Sequence, residues 1–559
     1  MKPRIYLPKK ISFYFLLFFH ISYAGGFKVQ EQSLNGTALN SAYVAGARGA
    51  DASYYNPANM GFSNDWGENK SEFELATSLL QIPGFDFQVP TTNQGLYSQT
   101  NIKYHDTSKK CDWWNLVCLG ALGAVNAFAP KQVDIEHSKP DSQIVNGSTG
   151  TTNFILPKFF YKSRTKSGFT FGASFVASSG LAMQWKDKGG EFLQDVFIMM
   201  VEFSPSLSYT IKDRFSIGIG PRIMYAMGSF NNVVYVPMQW KNGQKPSGTS
   251  PTCTDPKNSC IALTGADLDA IGIDNIPSEL MNESAKDALK AVIKLGIFNN
   301  LDDIVDTSTT TMHGTTKVYQ KSEGKDLSAG YRISASLRVF DNGMFSVVYN
   351  SSVPFNMQGT LEATSYVGGA MGNVLTKTNL NIAVNMPEIL TLSYAHDFFN
   401  HRLRVEGVYE RTFWAKGPNF LVTPDFENAE YIGLSGMVKH FTSEKLKSMV
   451  GLADFSGVSN MGAGWRDTNT FRLGITYQEK NFRLMGSVAY DEAPSPQDKI
   501  GIPDSNGYMF ALGGKYKFRD FVLGLAYSLT IKDNRTSLYQ QAANLGQFRI
   551  LTASLEYHW

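Results

Sequence analysis

The last stretch of the chain, Phe548 to Trp559, alternates with a period of two. Leu551, Ala553, Leu555, Tyr557 and Trp559 fall on one face, while Thr552, Ser554, Glu556 and His558 fall on the other. A strand in a soluble core has no place for Glu and His on its second face. Apolar outside, polar inside and aromatic at the rim is the pattern of a strand in a membrane-spanning barrel. The competing reading is the last, half-exposed strand of a soluble sandwich.

The opposite end points to the same compartment. Lys2, Arg4, Lys9 and Lys10 precede an apolar run from Ile11 to Ile21, followed by Ser22, Tyr23 and Ala24. This is the layout of a secretory signal, residues 1–24, with Gly25 as the expected mature start. No cysteine follows that site, so a lipid anchor is not expected. Nowhere later does an apolar run reach the roughly 18 residues that a spanning helix needs. An exported chain with amphipathic strands and no spanning helix can still be integral to a membrane, but only as a closed barrel, because lipid satisfies no free backbone group.

Composition fits that reading. Charged residues are 18% of the 559, against about 25% in an average protein, and aromatics reach 13%. A net charge of +2 provides no basic field for nucleic acid. The four cysteines form two local pairs, Cys111 with Cys118 and Cys253 with Cys260. In an oxidising compartment that spacing reads as two disulfide-closed loops. A zinc site is the rival, but CxxC spacing and nearby His are missing.

Residues 25–62 are small or weakly polar and lack strand alternation, as a compact plug would. Helical spacing is expected from Thr37 to Val44, ended by Gly46. In Asn56, Pro57 and Ala58, Asn can cap a helix and Pro can open it. Arg48 and Asp51 are placed to neutralise one another inside.

From Glu72 onward, barrel-type strands recur. Phe169, Phe171 and Phe175 alternate with Thr170, Gly172 and Ser174, and Leu403, Val405, Gly407 and Tyr409 face away from Arg404, Glu406 and Glu410. Charges of both signs on the inward face imply a hydrated or plugged lumen. Tight turns at Lys212–Arg214, Asp341–Gly343, Phe399–His401, Glu479–Asn481 and Arg519–Asp520 alternate with long connections such as Pro83–Thr151, Asn231–Lys325, Leu361–Asn373 and Ala415–Gly464. Short periplasmic turns and long external loops produce that rhythm. The expected fold is all-β: a transmembrane antiparallel barrel of about 14 strands over residues 63–559, with residues 25–62 plugging its lumen.

Several local runs in this order resemble the long-chain fatty acid transporter (FadL-type) family of bacterial outer membranes. They are Gly26-Phe27, Asn56-Pro57-Ala58, Ser179-Gly180-Leu181-Ala182 in the third strand, Asn385-Met386-Pro387-Glu388 opening the eighth, and Ala489-Tyr490-Asp491-Glu492-Ala493-Pro494 with Ile502-Pro503-Asp504. The resemblance implies a fourteen-stranded barrel closed by an N-terminal hatch. It also implies passive passage of a hydrophobic ligand from an outer groove, through a pocket beside the hatch, and sideways into lipid at a kink in the third strand. Gly180, with Leu181 beside it, would be that kink, since glycine permits non-strand dihedrals; simple accommodation of a bulky neighbour is the alternative. Leu280, Leu289, Val292 and Ile293, at helical spacing with Met281, Ile297 and Phe298, would help form the groove or anchor their own loop. Phe27 and Val29 would meet the ligand tail.

A fatty acid also needs a basic donor for its carboxylate. The position that the family suggests, just beyond the fifth strand, holds Asn231, Asn232 and Val233. Arg222, Arg404, Arg472, Arg483 and Lys515 remain as lumen candidates, each read first as a member of a structural charge network with Glu406, Glu410 or Asp491. Aromatic hydrocarbons, which similar proteins of this family take up, therefore stay open, as do a porin or adhesin role. A barrel phospholipase would need Ser and His held together, and His396, His401 and His558 come with no nucleophile motif. The expected partners are a hydrophobic small molecule, outer-membrane lipid and the barrel-assembly machinery, with no cofactor and no metal.

Overall fold

The computed structural model describes residues 28–64, 66–82, 151–184, 195–241, 311–368, 372–417, 420–441, 464–496, 504–536 and 546–559, with shorter stretches of the external loops between them. The expected signal, Phe27, Cys253, Leu280 and Met281 lie outside the described residues, as do the side chains of Leu181 and Val292.

Fourteen antiparallel strands form the wall. They are β1 (Glu72–Ile82), β2 (Thr152–Lys162), β3 (Phe169–Gln184), β4 (Asp195–Ile211), β5 (Phe215–Lys241), β6 (Thr311–Phe340), β7 in two pieces (Gly343–Asn350 and Val353–Gly368), β8 in two pieces (Gly372–Met386 and Glu388–Phe398), β9 (Leu403–Phe413), β10 (Thr468–Glu479), β11 (Phe482–Asp491), β12 (Gly507–Phe518), β13 (Phe521–Lys532) and β14 (Gln547–His558). β14 pairs with β1 from Glu72 opposite His558 to Gln81 opposite Arg549, which closes the cylinder. Closure leaves no edge of unpaired backbone to face lipid. No helix among the described residues is long and apolar enough to cross a membrane.

The alternation in the last strand is realised as read. Leu551, Leu555, Tyr557 and Trp559 are exposed on the outer face, and Thr552, Ser554, Glu556 and His558 are buried inside. The tight turns fall where expected, at left-handed residues such as Lys212, Asp213, Asn400, Lys480 and Arg519. At Asn342-Gly343 neither residue has a positive φ. The glycine instead serves a close approach, because a Cβ there would lie 2.8 Å from the Tyr394 hydroxyl.

Two expected loops are shorter than read. Asn231–Lys241 and Thr311–Lys325 continue β5 and β6, pairing with each other beyond the bilayer, and Leu361–Gly368 pairs with upper β8. Alternation is weak there because a wall above the membrane no longer separates lipid from lumen, but the backbone ladder needs no such contrast.

Inside the lower half, the segment Lys28–Phe62 is almost wholly buried. It contains α1 (Leu34–Ala38), α2 (Ala52–Tyr55) and a 3-10 turn (Pro57–Gly61). The helix expected from Thr37 to Val44 is thus shorter and earlier. Ser33 caps it by accepting the Gly36 N–H at 3.0 Å, and the chain leaves the helix at Leu39, before left-handed Asn40 and Ser41. The local cap overrides the apolar spacing.

Candidate functional site

The N-terminal segment is fixed to the wall by polar contacts. Glu406 of β9 accepts the backbone N–H groups of Val44 at 2.6 Å, Ala45 at 2.7 Å and Gly46 at 3.0 Å, together with the Ser393 hydroxyl at 2.7 Å. Successive N–H groups converging on one carboxylate form an anion nest, here filled by the protein itself. Asn56 does not cap the turn that follows it. Its side-chain amide donates to the Val44 carbonyl at 2.9 Å and to Ser336 at 3.1 Å, while Asn59 donates to Val44 and Ala45 carbonyls. Pro57 occupies the first turn as expected, and the Ala58 N–H reaches Ser334 at 2.9 Å. Gly218 makes room for this, since a Cβ there would lie 2.3 Å from the Ala58 nitrogen.

The expected Arg48–Asp51 neutralisation is replaced. Asp51 accepts from Ser33 at 2.6 Å, Asn35 at 2.8 Å and Tyr43 at 3.2 Å. Burial pushes its carboxyl above the usual range, against the pull of Lys515.

Above the segment lies a cavity of about 60 Å³. Its walls include Val44, Tyr54, Ser178, Val348, Met386 and Ile389, and also Lys28, Arg222, Arg332 and Glu410. Glu202 of β4 receives Arg222 Nη2 at 3.0 Å and Arg332 Nη2 at 3.0 Å. Arg222 Nη1 donates to the Ser351 carbonyl at 3.0 Å, and Arg332 Nε to Asn350 at 2.6 Å. Arg332 also lies over the Tyr54 ring, 4.6 Å from its centre. Arg332 Nη1 is buried and has no hydrogen-bond partner among the described residues. Glu410 holds Lys28 at 2.5 Å and Arg472 at 3.3 Å. Three cations, Lys28, Arg222 and Arg332, and one carboxylate, Glu410, line the cavity itself, while Glu202, Glu31 and Asp491 lie behind them.

Of the basic residues singled out in the sequence, Arg222 and Arg472 are at this cavity or in contact with Glu410. Arg404 instead pairs with Asp397 at 2.7 Å, and Lys515 with Glu556. Arg332, Lys28 and Glu202 were missed. The alternation Arg332, Ser334, Ser336 against Tyr331, Ile333, Leu337 could have found the first.

The wall is interrupted beside the same cavity. β2 and β3 pair only from Phe159 opposite Phe175 to Lys162 opposite Gly172, leaving upper β2 off upper β3. The β3–β4 register shifts between Ala177 and Ser179. The bulge therefore sits at Ser178, and Gly180 and Leu181 keep regular partners in Met199 and Ile198. One extra residue is all that a bulge requires, and Ser supplies it. Val29 N–H donates to the Ser178 carbonyl at 3.1 Å, and Lys28 bridges to Ser179, so the N-terminal segment takes up strand edge that β2 leaves. Val29 packs with Leu80, Phe154, Leu156, Ala177 and Met199 there.

Higher in the barrel the inward residues turn apolar. Met200, Met224, Phe230, Phe355, Met357 and Val384 form one buried cluster, covered by Trp414, Phe420 and Trp465 from the loop after β9. Part of the upper lumen is therefore apolar, beside buried polar residues such as Gln320, Thr376, Asp491 and Lys532. Outside, α3 (Leu116–Phe128) packs on α4 (Glu283–Lys294), with Leu289 of α4 buried and Ile293 half-buried. Cys111 and Cys118 are joined by a disulfide at the start of α3.

A closed antiparallel barrel with an apolar upper lumen and its own N-terminal segment below defines an outer-membrane protein of hydrophobic-compound transport. The chain belongs to the outer membrane protein transport family described as OMPP1/FadL/TodX, whose model matches residues 16–553. It is 21% identical over 410 residues, 72% of this chain and 74% of the relative, to a long-chain fatty acid transport protein of Escherichia coli O6:H1 strain CFT073. Among solved structures, a Pseudomonas aeruginosa FadL homologue shares the fold at TM-score 0.57 and 16% identity, covering 95% of this chain and 99% of that one. The Pseudomonas putida toluene transporter TodX matches at TM-score 0.50 and 15% identity, over 91% and 94%. It is thus a bacterial outer-membrane barrel of a family of transporters and channels.

Proposed function

We propose that this transporter takes up long-chain fatty acids by passive diffusion. The observation that carries the choice of ligand is the free Nη1 of Arg332 in a cavity whose cations outnumber its carboxylates. A neutral aromatic hydrocarbon would leave that donor unsatisfied, at a cost of about 1 to 3 kcal/mol, whereas a carboxylate completes it with a charge-assisted bond. The ligand collects on the external helices, slips through the Met-rich upper lumen, and halts with its head at Arg332 and its tail along Val44, Met386 and Ile389. The segment Lys28–Phe62 acts as the hatch. Exit is lateral, through the seam between β2 and β3, once Lys28 and Val29 release β3. The E. coli relative named for long-chain fatty acid transport supports the same choice.

The test is uptake of labelled oleate and of toluene by cells carrying the parent protein or Arg332→Met. Loss of one charge-assisted bond, roughly 1.5 to 3 kcal/mol, predicts oleate uptake reduced by about tenfold to a hundredfold, with toluene unchanged. If both fall together, or if only toluene responds, the carboxylate reading is wrong. Entry of a small hydrophilic dye in place of either would make the protein a porin.

A further inference from the structure

The ladder between β6 and β7 stops at Lys325 opposite Gln358 and resumes at Arg332 opposite Asn350. At its lower end the Ser351 N–H still donates to the Tyr331 carbonyl at 2.9 Å, and side chains supply the other links across the gap. Asp326 Oδ1 accepts the Leu327 N–H at 2.8 Å, and its Oδ2 accepts the Asn356 N–H of β7 at 2.9 Å. Ser351 Oγ accepts the Tyr331 N–H at 2.8 Å. Pro354 has no N–H to offer. The other side of β6 is undisturbed, because Asp326 to Gly330 keep their partners Ala226 to Arg222 on β5. The lower end of the gap is shut at Gly330, where a Cβ would lie 2.6 Å from Ser351 Oγ and 2.7 Å from Val353 Cγ2. Over Asp326–Ala329, then, one carboxylate bridges the two strands.

The position of this seam has a chemical meaning. On the outer face of β6, Lys321, Glu323 and Lys325 give way to exposed Leu327, Ala329, Tyr331 and Ile333. The seam therefore lies at the upper rim of the apolar band, at the level of lipid headgroups. Free backbone is costly deeper in the bilayer but tolerable where water reaches. Behind the seam, Arg332 and Asn350 belong at once to its lower border and to the cavity, with Arg332 Nη1 free. The same cavity touches the β3 bulge through Ser178 on its far side.

We infer that the β6–β7 seam is a second opening, through which a single-chain carboxylic amphiphile already dissolved in the outer leaflet enters the cavity head first. This rests on the reading of that cavity as a carboxylate site. A carboxylic acid in lipid tends to keep its proton because desolvation disfavours its charge. It meets Asp326 as a neutral donor and gives its proton to water at the seam as the carboxylate reaches Arg332. The protein thus draws on membrane-dissolved substrate as well as on substrate in the medium.

The experiment places cysteines on the two lips, Leu327→Cys with Asn356→Cys, in the full-length protein in cells. Palmitate is supplied either in the medium or preloaded into the outer membrane before washing. Oxidation is expected to slow clearance of the preloaded label by about threefold or more, as a blocked gate would, with uptake from the medium unchanged and reduction restoring the rate. Equal slowing of both routes, no slowing, or failure of the cysteines to join would overturn the inference. In parallel, a diazirine-bearing palmitate dissolved in the membrane should label residues 326–331 or 351–356 of the parent protein. Absence of that label overturns the second opening even if transport proceeds. Label without any palmitate uptake would overturn the transport reading and leave the opening standing.

Discussion

The two halves of the lumen are filled by different physics. Below, hydrogen bonds and ion pairs from the wall reach specific atoms of the N-terminal segment, as at Glu406, Ser334 and Ser336. Above, Met200, Met224, Met357 and Phe355 pack as an apolar cluster under three aromatic residues of a loop. Polar networks are satisfied in one arrangement and penalise all others. Apolar packing is non-directional, and Met in particular re-forms around a guest. One half is thus a seat held in a single arrangement, while the other is built of side chains that can repack. Arg332 stands at the boundary between the two.

The largest expected effect is on the seat. Glu406→Ala leaves three backbone N–H groups of Val44–Gly46 without their acceptor, on the order of 5 kcal/mol if each charge-assisted bond contributes about 1.5 to 3. The segment should become open to protease and the barrel leaky to a small dye, while the folded band still shifts on heating in gel electrophoresis. An intact dye barrier in that variant would show that the lower half is held by packing after all. Next comes the apolar half. Met357→Asp buries a charge in the apolar cluster at a cost of several kcal/mol, so oleate uptake should fall by about tenfold with the dye barrier unchanged. Gly218→Ala should act on the seat again but more gently, by about 1 to 3 kcal/mol, since its new methyl would press on the Ala58 nitrogen. Denaturant titration of protease access reads that loss.

The sequence made the wall legible because lipid imposes a two-residue period wherever a strand separates it from a polar interior, as in Leu551 to Trp559. It made the segment 25–62 legible by the lack of that period. It hid the upper lumen, where Ile198, Met200, Phe355 and Met357 look inward and are as apolar as a lipid face. It hid the extension of β5 and β6, because above the bilayer no contrast is demanded. The charged pairs were visible as residue types but not as partners. Arg404, an open candidate for the ligand, is bound to Asp397, and Arg332 is recognisable only when Asn350 and Glu202 are seen to take its Nε and Nη2 while Nη1 is left over. The bulge moved two residues from Gly180 to Ser178 because a wall can slip wherever the neighbouring strand is absent.

The smallest effect is a matter of pH and bears on how the seat stores charge. Glu31, buried in the N-terminal segment, has its carboxyl pushed up by burial, against the pull of Arg472 and Lys158. A carboxyl whose pKa is higher in the folded state than its ordinary value of about 4.3 binds more protons folded than unfolded between those two values. Its contribution therefore lowers stability as pH rises through that window and leaves it lowered above. Glu31→Gln removes the group that titrates while keeping its shape. The variant should resist release of the segment better than the parent at pH 8, with the two converging toward pH 4, as read by protease access in a denaturant series. If the parent is instead the more stable at pH 8, Arg472 and Lys158 win over burial, and the seat is an ion-paired cluster in which Glu31 is held charged.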